Sequence, residues 1–321
     1  MLSPDSYRQQ LKAMARSLRQ EGLSQTAIAR ELGVPRQTIT RWLNMKQQPD
    51  QIAQNEQTMS NAQNGLSTPT APRYLVVQGS VEKFRPPEGV MFPLIIADPP
   101  WNVSDPGHKR DRKVRPRPFT KDFGTWDRFS GDRAYLAKCR QWLKALFDVA
   151  APDSWLFFWC SYQYISYILA QAASVGWVKT TFYVWGKTNP MPMFGNNNFV
   201  QSVELALVLA KGSPQFRFKK KGQPHNRFES PQVGGSERVK RHDGSAANLA
   251  QKPSALLSLW IGWASKPGDW VLDAFAGTGA TTVAALQLNR NACAVELDPK
   301  LIPYIEGRVQ EECKGAVAFQ G

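Results

Sequence analysis

Apolar and polar positions change rhythm twice along the chain. Residues 1–44 have helical spacing, predicting helices over 7–20, 25–32 and 36–43. Ser24 is placed to cap the second of these, and Gly33-Val34-Pro35 reads as the turn before the third. The rhythm lapses over 45–72, where Gln and Asn sit among Ser, Thr, Pro and Gly. Such a stretch buries too little apolar surface to fold alone and reads as a flexible tether. From residue 73 short apolar runs alternate with helical stretches. Strands are expected at 74–78, 94–97, 154–159, 180–185, 202–209, 270–273 and 292–295, and helices at 135–150, 164–175, 255–264, 281–288 and 300–312. This is an α/β pattern. Its last strand–helix–strand unit has only one helix after it, so upstream strands must complete its sheet, which makes the order permuted and doubly wound.

Composition narrows the partners. The 321 residues carry a net charge of +14, which favours a polyanion. No apolar run approaches the roughly 20 residues of a membrane span, and residues 1–16 lack the apolar segment of a secretory signal. Cys139, Cys160, Cys293 and Cys313 form no C-x-x-C pair, so they read as reduced thiols of a cytoplasmic protein with no zinc site.

Two stretches carry candidate chemistry. The apolar run 94–97 stops at Asp98-Pro99-Pro100-Trp101. Two prolines stiffen this loop. It offers the Asp98 carboxylate, the Pro99 carbonyl and the Trp101 ring face at a strand's carboxyl end. Two acceptors beside an aromatic plate suit an exocyclic amino group on a flat ring. Far downstream, strand 270–273 runs into Ala274-Phe275-Ala276-Gly277-Thr278-Gly279-Ala280 and then a helix, and Glu296 closes the next strand. That is a nucleotide-type turn, with an acid where a ribose diol would sit. Thr282 stands where a third glycine would mark a dinucleotide site, so a ligand with one nucleoside is expected. The aromatics Trp155, Phe157, Phe158, Trp159 and Trp185 read as core.

The two motifs in this order resemble the β-class amino-methyltransferases, which act on adenine or cytosine amino groups in DNA. The resemblance covers roughly residues 73–309 and implies a Rossmann-like methyltransferase sheet of seven strands, with S-adenosylmethionine as cofactor. It assigns catalysis to Asp98, Pro99, Pro100 and Trp101. It assigns the cofactor pocket to Asp273, Phe275, Gly277, Gly279 and Thr281, with Glu296 on the ribose. Lys252 and Ser254 would lie near the cofactor carboxylate. Phe123-Gly124-Thr125-Trp126-Asp127, Lys187-Thr188-Asn189-Pro190 and Glu204-Leu205-Ala206-Leu207 resemble family landmarks. Gly79-Ser80 departs from the family's frequent Gly-Asp. Asp rather than Ser at position 98 favours adenine N6 over cytosine N4 as target. No Pro-Cys pair is present, which excludes cytosine ring-carbon chemistry. The remaining alternatives are an RNA adenosine methyltransferase and a DNA-binding regulator on an inactive scaffold.

Double-stranded DNA is thus the expected partner, in a bacterial or phage setting. Residues 1–44 resemble a helix-turn-helix module whose last helix offers Arg36, Gln37, Thr38, Thr40 and Arg41 to a major groove. Self-association into a homodimer is the other reading of that module. In the methyltransferase domain, 73–321, a basic loop over 106–121 carries Lys109, Arg110 and Arg112. The segment 211–248, expected to recognise the target, carries Lys219, Lys220, Lys221, Arg238, Lys240 and Arg241 interleaved with aromatics. Neither the recognition sequence nor a companion restriction nuclease is legible in these motifs.

Overall fold

A computed structural model describes residues 15, 18–19, 22–31, 36–44, 71–102, 127–192, 199–218, 223–241, 243–248 and 250–319. The chain forms two compact units, Met1–Pro69 and Thr70–Gly321.

In the first unit, α1 (Gln25–Glu31) and α2 (Arg36–Asn44) pack through Ile28 and Ile39, which are fully buried with Ala15. Ser24 caps α1 as expected, its Oγ accepting the Ala27 N–H at 3.2 Å. Arg36 is exposed. Thr40 was expected on the groove-facing side but is half-buried, donating to Gln25 Oε1 at 2.8 Å. It belongs to the helix–helix contact, because a short helix packed on one neighbour has little face to spare. Most of the expected helix 7–20, the turn 33–35, the tether 45–70 and the side chains of Gln37 and Arg41 lie outside the described residues.

The second unit is built on one sheet. Its strands are β1 (Arg73–Gln78), β2 (Phe92–Ala97), β3 (Ala150–Cys160), β4 (Val178–Lys187), β5 (Val203–Lys211), β6 (Arg227–Ser230), β7 (Trp270–Asp273), β8 (Asn291–Glu296) and β9 (Val317–Ala318). Their order is β6-β4-β5-β3-β2-β7-β8-β1-β9. Only β5 runs against its neighbours, pairing antiparallel with β3 and β4. The seven expected strands are present, but among the described residues the sheet has nine. β6 and β9 extend its two edges, and their signal is local neither in length nor in polarity. β6 is Arg227-Phe228-Glu229-Ser230, and β9 is two residues long.

Helices cover both faces. Strand β2 shows why. Leu94 and Ile96 point into one apolar cluster with Phe157, Trp159 and Trp260, while Ile95 and Ala97 point into another with Leu143, Leu146, Phe158 and Ile168. The first cluster holds α5 (Ser254–Ala264) and α6 (Ala280–Gln287), and the second holds α3 (Asp132–Val149) and α4 (Ile165–Ser174). The last helix, α7 (Ile302–Glu312), packs through Ile305 and Val309. Trp260 is the anchor of its face. It stacks on Phe157 at 4.3 Å between ring centroids and meets Trp159 at 5.1 Å and Tyr183 edge-on at 5.3 Å. Burying a large aromatic of this kind contributes about 2–3 kcal/mol by area alone. The expected core aromatics 155, 157, 158, 159 and 185 are all buried. Among the described residues no helix is long and apolar enough to cross a membrane.

The crossovers fix where a ligand can bind. From β2 the chain leaves through α3 to β3; from β7 it leaves through α6 to β8, in the opposite direction across the sheet. Adjacent β2 and β7 therefore part company at their carboxyl ends, which opens a crevice there. Their register sets Ile96 beside Asp273, so Asp98 and the turn after Asp273 emerge at the same place.

Candidate active site

The loop after β2 is held from behind. Asp127 Oδ1 accepts the backbone N–H of Trp101 at 2.6 Å and that of Asn102 at 2.7 Å. Asn102 has a φ of 55°, a left-handed conformation unusual for a side-chain-bearing residue. Its Nδ2 donates to the Tyr164 hydroxyl at 3.2 Å, and that hydroxyl donates to Asp132 Oδ1 at 2.7 Å. The indole Nε1 of Trp101 donates to Asp98 Oδ1 at 3.1 Å, which fixes the carboxylate's plane.

The other oxygen of Asp98 is engaged by Lys252. Its Nζ lies 2.5 Å from Asp98 Oδ2 and 3.4 Å from Glu204 Oε2, and Glu204 Oε1 lies 2.5 Å from Lys187 Nζ. The ammonium also sits 5.0 Å from the ring centroids of Trp101 and Trp159. Four charges thus alternate in sign through a site where Lys252 is 7% exposed. Burial pushes the Asp98 carboxyl above its usual range, and Lys252 only partly offsets this. Burial acts on Glu204 too, but Lys252 and Lys187 outweigh it and hold that carboxyl low. Burial alone would discharge Lys252; Asp98 and Glu204 reverse that and hold its ammonium above the ordinary lysine range. Removing one partner from such a buried set costs about 3–5 kcal/mol, because a charge is left uncompensated.

The cofactor half rests on β7, α6 and β8. Asp273 ends β7 and accepts from the Thr282 N–H at 3.1 Å and its hydroxyl at 2.8 Å. Burial raises its carboxyl to about 7 against these hydrogen bonds. Gly277 has a φ of 55°, a left-handed conformation that favours glycine, and a Cβ there would displace the Asn248 side-chain amide. Its N–H donates to Glu296 Oε2 at 2.7 Å, while Glu296 Oε1 accepts from the Asp298 N–H at 2.8 Å. A carboxylate offers about four lone-pair directions, so two hydroxyls can still be received. Burial raises this carboxyl as well. Phe275 meets Trp142 edge-on at 5.4 Å.

Both halves line one cleft. Asp98, Trp159 and Lys252 come to it from the catalytic half, and Asp273, Phe275, Thr278 and Thr281 from the cofactor turn. A roomier hollow between α3 and α4, lined by Arg133, Arg140 and Tyr167, holds none of the catalytic or cofactor motif residues.

Three expected site residues make contacts that the sequence did not announce. Lys252, expected near the cofactor carboxylate, lines the cleft and contacts the Asp98 carboxylate. Ser254 gives both its N–H and hydroxyl to Glu237 Oε1, at 2.7 and 2.9 Å. Arg238 turns inward, donating to the carbonyls of Asn248 and Val233, and serves as a loop clamp. Lys240 and Arg241 are exposed. Lys109, Arg110, Arg112, Lys219, Lys220 and Lys221 lie outside the described residues. Ser80, in the position of the family's Asp, follows β1 beside Glu296, whose carbonyl accepts the Gly79 N–H at 2.8 Å.

Sequence reasoning missed the site roles of Glu204, Asp127, Asn248 and Gln251. A lone acid in the apolar strand 203–211 was the available signal for Glu204. Asn248 and Gln251 join the cleft because segment 231–253 folds back over the glycine turn, and nothing local announces that.

The fold and the cleft are those of a doubly wound α/β class, with a buried carboxylate beside a glycine-rich strand-to-helix turn at the sheet's carboxyl edge. Comparison with known proteins gives the same class. The DNA methylase family profile matches residues 92–307 and a homeodomain-like profile matches residues 5–50. The chain is 30% identical over 240 residues to Type II methyltransferase M.HinfI of Haemophilus influenzae, covering 72% of this chain and 66% of that one. It is 25% identical over 226 residues to Type II methyltransferase M2.DpnII of Streptococcus pneumoniae, covering 68% and 82%. Among solved structures, the M1.HpyAVI–SAM complex superposes with a TM-score of 0.53 at 22% identity, over 74% of this chain and 99% of that one. PvuII DNA methyltransferase, described as cytosine-N4-specific, gives 0.55 at 16%, over 78% and 98%. The chain belongs to the DNA methylase family.

Proposed function

We propose that this protein transfers a methyl group from S-adenosylmethionine to the N6 amino group of an adenine flipped out of duplex DNA. The observation that carries the reading is the shared cleft: the Asp98 carboxylate, at the end of β2, opens beside the Gly277 turn and Asp273. The residues present suit the cofactor. Glu296 can accept a ribose diol and Asp273 offers an acid to a cationic methionine moiety, while the bare Cα of Gly277 lets the Asn248 side chain close over the turn. When bound, the cofactor supplies an electrophilic methyl on a sulfonium.

The protein's own contribution is orientation and charge. An adenine amino group is a weak nucleophile because its lone pair is conjugated with the ring. Hydrogen bonds from its two N–H groups to Asp98 and to the Pro99 carbonyl draw it toward tetrahedral geometry. Trp101 stacks on the base, and the Asp127 clamp keeps that plate in place. The nitrogen's lone pair would then be aimed at the methyl that the cofactor supplies, the bonding pair being left with the cofactor, and Asp98 would be placed to receive one N–H proton. Positioning and preset electrostatics account for most of such a step. Asp at position 98 supports adenine over cytosine; the fold supports neither over the other, since a cytosine-N4 enzyme superposes equally well.

The homeodomain-like segment gives the enzyme a second grip on DNA through Arg36 and its neighbours. Labelled methyl transfer to duplex DNA, to the same strand as RNA and to neither separates the proposed activity from its rivals. Incorporation into DNA that Asp98→Ala abolishes supports the reading; transfer to RNA alone, or none with folded protein, removes it.

A further inference from the structure

Glu204 is no part of either sequence motif, yet it lies within the catalytic charge chain. It stands in β5, the one reversed strand, so its position near the strand's start is at the same sheet edge as the ends of β2 and β4. There it faces Trp185 across the β4 pairing, receives Lys187 at 2.5 Å and stands 3.4 Å from Lys252. It is 16% exposed, and Lys252 only 7%. Neither has solvent enough to screen its charge.

We infer that Glu204 is a positioning residue for methyl transfer: it holds the Lys252 ammonium between two carboxylates, so that Asp98 keeps enough negative charge to receive a proton from the target amine. A buried Asp98 facing Lys252 alone would have its charge cancelled at a distance of 2.5 Å. Its pull on an N–H would weaken, and with Glu204 lost but Lys187 still in place the site would carry one net positive charge, which opposes the charge that develops on the amine. The Glu204 carboxylate draws part of that ammonium away, and Lys187 in turn moderates Glu204. The four groups sum to zero. Asp273, the other acid lining the cleft, is not in contact with the chain of four, and the Trp101 and Trp159 rings are the remaining faces around Lys252.

This inference rests on the proposed amine methylation, and its test separates the two. The pH profile of kcat is measured for wild type, Glu204→Gln, Lys187→Met, Lys252→Met and the Glu204→Gln/Lys252→Met double variant of the full chain, on saturating DNA. Glu204→Gln should lower the plateau about tenfold, the size of one pKa unit of electrostatic help, with KM for cofactor nearly unchanged. Its acid limb should move to lower pH, because a negative neighbour of Asp98 is gone. Lys187→Met should move that limb the other way. In the Lys252→Met background Glu204→Gln should have little further effect, since the residue through which it acts is absent. An unmoved limb, a defect confined to KM, or fully additive losses overturns the inference. If Glu204→Gln does not fold, the Lys187→Met limb decides by its direction. Absence of any methylation by wild type overturns the underlying activity instead.

Discussion

Asp127 accepts the backbone N–H of Trp101 at 2.6 Å, across 26 residues of sequence. The same oxygen takes the N–H of Asn102, so one buried carboxylate fixes the turn that presents the catalytic loop. Asp127→Ala leaves two backbone donors without that acceptor. Hydrogen bonds to charged groups contribute about 1.5–3 kcal/mol each, so a measurable fall in Tm is expected. The kcat should fall while calorimetric cofactor affinity stays near wild type, because the cofactor turn is anchored elsewhere. Unchanged kcat with a lowered Tm would show the clamp to be structural only.

Glu296→Ala should weaken cofactor binding. Its loss removes the acceptor proposed for the ribose and also the partner of the Gly277 N–H. At about 1.5–3 kcal/mol for a charged acceptor, the expected loss is roughly ten- to a hundredfold in Kd. An unchanged constant by calorimetry takes Glu296 out of the site.

If Asp273 faces the cofactor's cation as proposed, cofactor affinity should depend on pH. Burial pushes its carboxyl up to about 7. A bound cation favours the ionised form, so below that pH a proton must be displaced on binding. Affinity should therefore rise as pH increases through about 7 and level off above it. Asp273→Asn should flatten the curve at the weaker level. Wild-type affinity that is flat from pH 6 to about 8 contradicts this assignment.

Deleting residues 1–69 removes one compact unit and leaves Thr70–Gly321 whole. Turnover at saturating DNA should be nearly intact, while affinity for long DNA falls and its salt dependence becomes shallower. A lower saturating rate together with a reduced mass by light scattering would instead mean that the module builds a dimer on which the site depends.

The loop after β2 and the glycine turn after β7 were legible in the sequence because each is a local event: an apolar run ends, and stiff or bare residues follow. Asp98-Pro99-Pro100-Trp101 and the Gly277 turn needed no distant partner to be read. The charge chain was not legible, since Lys252 reaches Asp98 across 154 residues and only the sheet order brings them together. β6 was missed for the same reason. Its four largely polar residues hold their place through pairing with β4 and through Trp185 Nε1, which donates to Ser230 Oγ at 2.9 Å. Ser254 shows the converse. Its neighbourhood beside Lys252 was right, but its donors were claimed by Glu237, a residue whose position only the folded loop reveals.

The identity of the atom that receives the methyl group separates adenine from cytosine chemistry. Single-molecule sequencing of DNA from cells expressing the protein, with Asp98→Ala as control, reads that directly. N6-methyladenine at a recurrent short sequence, present with wild type and absent with Asp98→Ala, is the predicted result. N4-methylcytosine, or DNA unmodified by a folded and cofactor-binding protein, would contradict it.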